Sequence, residues 1–217
     1  MFGGLNALFT GLAFSAVIFS IYLQRKDLKL TQDTLERQHL EMKEQNKTLE
    51  LQRLETMFFA LLKTLNNSIE NMVLNDRTGR EVFLIPAMLL NNKLTSASLK
   101  HNKEKFWKLI KARDDIFGPY FRSFSTLVDF IDQSSLDWVE KYFYLSIVKN
   151  QLTTNELECL LAYSLVDEAQ DQFRCKHFIE KYSLLTYVDR GVLFKLVEDQ
   201  YKEQAFLHIL DTRERKN

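Results

Sequence analysis

Apolar side chains fill the first stretch of the chain, and no charge interrupts them. Residues 2–23 contain no Asp, Glu, Lys or Arg, whereas Arg25, Lys26 and Lys29 follow directly. A helical run of about 20 apolar residues matches the hydrocarbon thickness of a bilayer. We therefore predict a transmembrane anchor over residues 1–23, with the lipid bilayer as its partner.

The order of charges around this run predicts its orientation. The basic residues follow the run and none precedes it, so the positive-inside rule predicts an outer amino terminus and a cytoplasmic remainder. The alternative is a cleaved secretory signal peptide, in which the basic residues would come first and the apolar core would be shorter.

Small residues recur every four positions inside the run, at Gly3, Ala7, Gly11 and Ser15. This spacing places them on one helix face, where the backbone of a second helix could approach closely. Two interpretations stay open. The ridge either packs copies of the anchor together, which predicts a homo-oligomer, or it reflects the general abundance of glycine in membrane helices.

A polar helix is predicted next, over residues 24–54. This segment is rich in Gln, Glu, Lys, Arg and Leu, and neither Gly nor Pro occurs between Leu12 and Thr78. One heptad row is apolar, at Leu28, Leu35, Met42 and Leu49, whereas the second row is polar. We predict a helical stalk of roughly 46 Å, at about 1.5 Å per residue, that pairs weakly. The alternative is a single solvated helix with i,i+4 ion pairs.

A wider apolar stripe then marks a helix that packs on a core. Its members, three and four residues apart, are Leu51, Leu54, Phe58, Leu61, Leu62, Leu65, Ile69 and Met72. We predict a globular domain over residues 55–211 and a frayed tail over 212–217. Further helices are expected over 102–117, 119–131, 136–149, 172–185 and 192–210, with Pro119 at a helix start. Thr153 and Glu156 are spaced as a capping box. Alternating strand patterns are scarce, so the predicted fold class is all-α.

Composition narrows the classes of function. The net charge is zero and 46% of the 217 residues are apolar, which allows one domain besides the anchor. A balanced charge gives no sign of a nucleic-acid surface, and we expect no direct nucleic-acid binding. The two cysteines, Cys159 and Cys175, would lie in the reducing cytoplasm and are predicted to be buried apolar side chains.

Candidate chemistry is sparse. The four histidines are far apart, and Cys175 with His177 would lie on different helix faces, so no metal site is predicted. No phosphate-binding glycine loop or nucleophile elbow occurs. Asp167, Glu168 and Asp171 fit a solvated helix end. We therefore expect no catalytic residue, no cofactor and no enzyme activity, although a hidden nuclease stays open.

Four local motifs resemble one family. They are residues 54–62 with Phe58 and Phe59, residues 79–83 with Gly79, Arg80 and Phe83, residues 151–157 with Glu156, and residues 178–185 with Tyr182. With an amino-terminal membrane segment and a Gln/Glu/Leu-rich stretch before them, they resemble the putative phage abortive infection proteins of bacteria. Residues between Phe83 and Phe106 depart from the family pattern.

The resemblance implies a defence role at the bacterial inner membrane, where infection activates a membrane-resident effector. It implies a phage or host defence protein as partner, and a retron reverse transcriptase is one candidate. It supplies no catalytic residues. Two hypotheses follow, an effector that self-associates and disrupts the membrane, and a tethered sensor or adaptor that recruits or inhibits another protein.

The family-like motifs also carry structural expectations. Gly79 would supply a positive φ, Arg80 would either cap carbonyls or pair with a carboxylate such as Glu156, and Phe83 would fill the core. Aromatic residues are frequent in the second half, at Tyr142, Phe143, Tyr144, Tyr163, Tyr182 and Tyr187. They favour core packing, while a nucleotide or peptide groove stays open.

Overall fold

The computed structural model describes residues 2–91, 96–166, 175–187 and 200–206, without the side chains of residues 2, 5–7, 91, 96–100 and 204. Helices account for nearly all of its secondary structure, so the predicted all-α class is confirmed. The chain divides into two compact units, residues 1–55 and residues 56–217.

Helix α1 spans Phe2–Glu70, which confirms the prediction of one uninterrupted helix. In the first unit its large apolar side chains between Leu8 and Leu23 are all exposed. The helix contains a window of 18 residues with a mean hydropathy of 1.4 and no buried residue. By length and composition, α1 can therefore cross a membrane.

The last turns of α1 bury one face in the second unit. Phe58, Leu62, Leu65 and Ile69 are buried at the predicted spacing. The predicted start of the buried stripe at Leu51 was wrong, because that side chain is 43% exposed. Burial begins two turns later, since apolar spacing alone does not show where the packing partners of a helix begin.

A short hairpin follows α1. Strands β1 (Val73–Leu74) and β2 (Arg77–Thr78) pair antiparallel, with Val73 opposite Thr78. Asn75 takes a φ of +54° in the turn and Gly79 takes +58°, so the predicted positive φ at Gly79 is confirmed. The Gly79 amide donates to the Met72 carbonyl at 2.9 Å. Strands of two residues are too short to show alternation, which explains why sequence analysis missed the hairpin.

The remaining described elements form one helical domain. A 3₁₀ helix (Gly79–Phe83) leads into α2 (Leu84–Asn91), α3 (Ser96–Ala112), α4 (Asp114–Gln133), α5 (Trp138–Lys149), α6 (Thr154–Ser164), α7 (Cys175–Tyr182) and a second 3₁₀ helix (Glu203–Phe206). Helix α2 packs on α3 and α6, α4 packs on α3 and α5, and α6 packs on α7.

Pro119 does not start a helix, and this prediction was wrong. Helix α4 begins at Asp114 and runs through Pro119, while the break lies at Arg113, whose φ and ψ are −124° and 43°. The predicted helix over 102–117 is therefore two helices. Proline near the amino end of a long helix removes a single backbone hydrogen bond, and the apolar face of α4 outweighs that loss.

Two predicted helices end differently in the structure. Helix α7 stops at Tyr182 instead of residue 185, because Ser183 takes a φ of +53° and the Leu184 amide donates to the Ile179 carbonyl. Residues 200–206 of the predicted helix 192–210 do not form an α-helix. Their backbone forms hydrogen bonds with other parts of the domain. The Leu185 amide donates to the Ala205 carbonyl, and the Lys202 amide donates to the Glu180 side chain.

The tail 212–217 and the acidic residues Asp167, Glu168 and Asp171 lie outside the described residues.

Aromatic rings and apolar side chains make the core. Phe83 is fully buried and meets Phe117 and Tyr120 edge to face, which confirms its predicted role. Cys159 and Cys175 are fully buried free thiols, as predicted. Burial raises the pKa of both thiols, so they remain protonated and unreactive.

The Phe58 and Phe59 pair tests the packing of α1. Phe58 is fully buried and its neighbour is 56% exposed. We expect Phe58→Ala to lower the free energy of unfolding by about 3–5 kcal/mol and Phe59→Ala by about 1 kcal/mol or less. Denaturant unfolding of the full chain in detergent, followed by circular dichroism, measures both. Equal losses would contradict the assigned face of α1.

Candidate functional site

A partly buried polar cluster joins the end of α1 to α6. Arg80 Nη1 donates to Glu156 Oε2 at 2.5 Å, and Arg80 Nη2 reaches Asn66 Oδ1 at 3.4 Å. Asn66 in turn donates to Gln151 Oε1 at 3.3 Å. Of the two alternatives for Arg80, the structure therefore shows pairing with Glu156. The cluster ties α1, the first 3₁₀ helix and α6 together through side chains far apart in sequence.

Glu156 is the buried centre of this cluster. Its side chain is fully buried, whereas Arg80 is 36% exposed. The backbone amide of Thr153 donates to Glu156 Oε2 at 2.8 Å and the Thr153 hydroxyl does so at 2.6 Å, and the capping box is thereby confirmed. Oε2 thus accepts three hydrogen bonds, two from Thr153 and one from Arg80, which offset much of the cost of burying the carboxylate.

Tyr120 adds a second buried polar group in the same core. Among the described residues, Tyr120 Oη and Glu156 Oε1 are buried without a hydrogen-bond partner. Burial, and then the negative charge of Glu156, raise the pKa of Tyr120 well above its usual value. The phenol therefore stays protonated, and Tyr120 can supply a hydrogen-bond donor to this part of the core.

Tyr182 anchors α7 to α4 through Asp132. Lys181 Nζ donates to Asp132 Oδ1 at 2.5 Å, the Tyr182 hydroxyl donates to the same oxygen, and Trp138 stacks on the Tyr182 ring. Partial burial acts to raise the pKa of Asp132, but hydrogen bonds from Lys181 and Tyr182 and the charge of Lys141 outweigh it and lower that pKa. The ionised Asp132 carboxylate therefore holds α7 against α4.

An open groove lies between α3, α4 and α6. Its volume is about 590 Å³, and its lining combines aromatic, charged and hydroxyl side chains: Trp107, Ile110, Lys111, Asp114, Gly118, Phe121, Arg122, Ser125, Thr126 and Tyr163. This size falls within the range of about 300–1,000 Å³ that is typical of small-molecule sites. It is therefore a candidate ligand site of the domain.

Aromatic rings form the floor of the groove. Tyr163 and Phe121 stack with ring centroids 3.9 Å apart, and Trp107 meets Tyr163 edge to face at 5.7 Å. Burial raises the pKa of Tyr163 to about 12. Sequence analysis named Tyr163 as an aromatic of either the core or a groove, and the structure places it in both.

The residues predicted for the anchor and the stalk lie on exposed surface of α1. Gly3, Gly11 and Ser15 are exposed, and the Ser15 hydroxyl donates to the Gly11 carbonyl at 2.9 Å. The side chain of Ala7 lies outside the description. The stalk positions Leu28, Leu35, Met42 and Leu49 are also exposed. A single chain does not test pairing, so the ridge and the seam stay predictions.

Lys149 is a buried cation that sequence analysis missed. Its residue is 3% exposed, its ammonium donates to Tyr142 Oη at 3.2 Å, and it lies 5.1 and 5.2 Å from the ring centroids of Tyr142 and Tyr187. Burial lowers the pKa of Lys149. A lysine in the last turn of a helix is ordinary, so no signal in the sequence could have identified it.

Among the described residues, no three His, Cys, Asp or Glu side chains are grouped so that they could hold a metal ion. Cys175 is buried while His177 is exposed, which confirms that the two lie on different faces of α7.

The family model described as putative phage abortive infection protein matches residues 112–192. This match confirms the family resemblance in the segment that holds Glu156, Asp132, Tyr182 and most of the groove. The anchor and Gly79–Phe83 lie outside it. No curated protein and no solved structure matches the chain.

Breaking the buried pair tests the polar cluster. Arg80→Leu leaves the Glu156 carboxylate buried without its cation, and we expect the free energy of unfolding to fall by about 3 kcal/mol. Arg80→Leu combined with Glu156→Leu should cost less than Arg80→Leu alone, because no uncompensated charge remains. Denaturant unfolding measures both variants.

Arg122→Leu is the matched control, because Arg122 pairs with Asp114 on the surface and should cost about 1 kcal/mol or less. A double variant that loses more stability than Arg80→Leu would refute the role assigned to the pair.

The variant Asp132→Asn tests whether the ionised Asp132 carboxylate stabilises the contact between α7 and α4. The folded pKa is lowered, so the carboxylate stabilises the fold above the unfolded pKa of about 3.9 and this contribution disappears as the pH falls through the folded value. We expect the variant to melt below the wild type at neutral pH, with a gap that narrows on acidification. Thermal melts across pH measure it. Asp115→Asn, at the exposed pair with Arg113, is the control, and a gap that persists at low pH would contradict the assignment.

Proposed function

We propose that this protein is a membrane-anchored effector of a bacterial anti-phage defence system of the abortive infection type. The family match over residues 112–192 carries the defence role. The exposed apolar part of α1 supports anchoring in the inner membrane, with the amino terminus outside and the helical domain in the cytoplasm.

The proposed mechanism is self-association of anchors after a cytoplasmic trigger, followed by disruption of the membrane. The ridge of Gly3, Ala7, Gly11 and Ser15 supports it, since a Cβ added at Gly3 or Gly11 meets nothing within 4 Å and that face is open to a second helix. The Ser15 hydroxyl already donates a hydrogen bond within its own helix. It therefore needs no further acceptor from lipid or from a second helix. No enzyme activity is part of this mechanism.

The second candidate is a tethered sensor or adaptor that recruits or inhibits another protein, with a retron reverse transcriptase as one possible partner. Exposed aromatic side chains of the domain favour it. Phe59 and Phe143 are both more than half exposed, and aromatic residues are enriched where proteins dock. In this case the anchor would only localise the domain.

A phage challenge with a membrane-potential dye tests the effector against the adaptor. We expect cultures that carry the gene to survive a low but not a high phage dose, and infected cells to lose their membrane potential. Gly11→Ile should abolish both effects because it blocks close packing of the ridge. Ala13→Ile, on the opposite face of the helix from Gly11, is the matched control and should retain them.

Replacing residues 1–23 with an unrelated membrane helix separates the two candidates. Loss of defence supports the effector, whereas full defence with an undisturbed potential contradicts it and favours the adaptor. Equal survival with and without the gene at every phage dose would refute the defence role itself.

A further inference from the structure

The groove between α3, α4 and α6 brings cations and an aromatic surface within reach of one small ligand. The Lys111 ammonium lies 5.2 Å from the centroid of the half-buried Trp107 ring. Arg122 lines the same groove from α4 and is about two-thirds exposed. A ligand that stacks on the indole can therefore place a negative group between two cations.

Arg122 is held by a surface ion pair that an incoming anion can replace. Its Nη1 donates to Asp114 Oδ1 and Oδ2 at 3.4 and 3.3 Å, and both side chains are exposed. Such a pair is weak in water. A phosphate offers more charge and a better geometric match to guanidinium than one distant carboxylate does, so it can take over the Arg122 side chain.

Gly118 makes room for this arrangement on the groove floor. A Cβ at position 118 would come within 2.4 Å of Asp114 Oδ1 and within 2.7 Å of Arg122 Nη1. Both contacts are with the ends of flexible side chains, so an added methyl group would displace the pair instead of breaking the helix. Glycine is otherwise unfavourable inside a helix. At position 118 the missing side chain leaves space in the groove for the Asp114 and Arg122 side chains.

The rest of the lining suits a nucleotide. Ser125 and Thr126 add hydroxyl groups, and the Thr126 hydroxyl already donates to the Arg122 carbonyl, which leaves its oxygen able to accept. An extended peptide fits less well, because the groove walls are helices whose backbone groups bond internally and offer no strand edge.

We propose that this groove binds a nucleoside phosphate, with the base on Trp107 and the phosphates between Lys111 and Arg122. That its occupancy is the infection signal rests on the function proposed above. Binding itself does not, because it follows from the groove alone.

Fluorescence of Trp107 tests the binding directly. The chain has two tryptophans, so Trp138→Phe in the full chain in detergent leaves Trp107 as the sole reporter. ATP, GTP, CTP and UTP are titrated, with adenosine as the ring without charge and inorganic triphosphate as the charge without ring. We expect a saturable change in emission and a higher melting temperature with at least one nucleotide, and weaker effects with adenosine and triphosphate.

Variants separate binding from folding. Gly118→Ala should keep or raise the melting temperature, because alanine favours helix, while weakening the nucleotide by about tenfold or more. Arg122→Gln should also weaken it, whereas Arg113→Gln, which removes a surface cation outside the groove, should not. No response to any nucleotide at millimolar concentration, equal binding by triphosphate alone, displacement by an acidic peptide, or unchanged binding by Gly118→Ala would each overturn the proposal.

The defence assay is scored separately from binding. A Gly118→Ala strain that loses protection while the wild type retains it supports the nucleotide as the signal. Full protection by a variant that no longer binds refutes that role. A wild type that gives no protection counts against the proposed function, while the binding result is decided by the titration.

Discussion

The exposed apolar surface of α1 is the main physical constraint on this protein. The side chains from Leu8 to Leu23 bury nothing within their own chain, although exposing each large apolar side chain to water costs about 1.5–3 kcal/mol relative to burial. A soluble monomer would rarely leave so large a patch open. Lipid removes the cost without a partner, and close-packed copies could remove a further part at the small-residue ridge. In the orientation proposed above, the basic residues that follow lie at the cytoplasmic surface of the membrane.

Within the second unit, the Glu156 carboxylate imposes a comparable constraint at shorter range. A buried charge must be paired and hydrogen-bonded, and Glu156 meets this need through Arg80 and Thr153. The pair fixes the first 3₁₀ helix against α6, and Asn66 links the same guanidinium to the end of α1. Movement at the end of α1 would disturb the Asn66 contact with this pair, whereas the exposed pair in the groove can change partners at little cost. The first suits a structural support and the second suits a binding surface.

Sequence reasoning succeeded where a local pattern alone determines the outcome. Absence of Gly and Pro predicted α1, the Thr153 and Glu156 spacing predicted a cap, and Gly79 predicted a positive φ. It failed where tertiary contacts override local signals. Pro119 is tolerated inside α4, Ser183 ends α7 in a left-handed conformation without being glycine or asparagine, and two-residue strands leave no periodicity. The Arg80 and Glu156 pair was one of two open alternatives. The groove could not be predicted beyond Tyr163, because its lining comes from three helices whose arrangement no local spacing determines.

Membrane fractionation with protease protection tests whether the apolar part of α1 is embedded in the membrane with the helical domain inside the cell. Bacteria expressing the full chain with a carboxyl-terminal tag are converted to spheroplasts, treated with external protease, and then separated into membrane and soluble fractions with an alkaline wash. We expect the tag to stay in the washed membranes and to be degraded only after the spheroplasts are lysed. Recovery of the intact chain in the soluble fraction, or loss of the tag in intact spheroplasts, would contradict it.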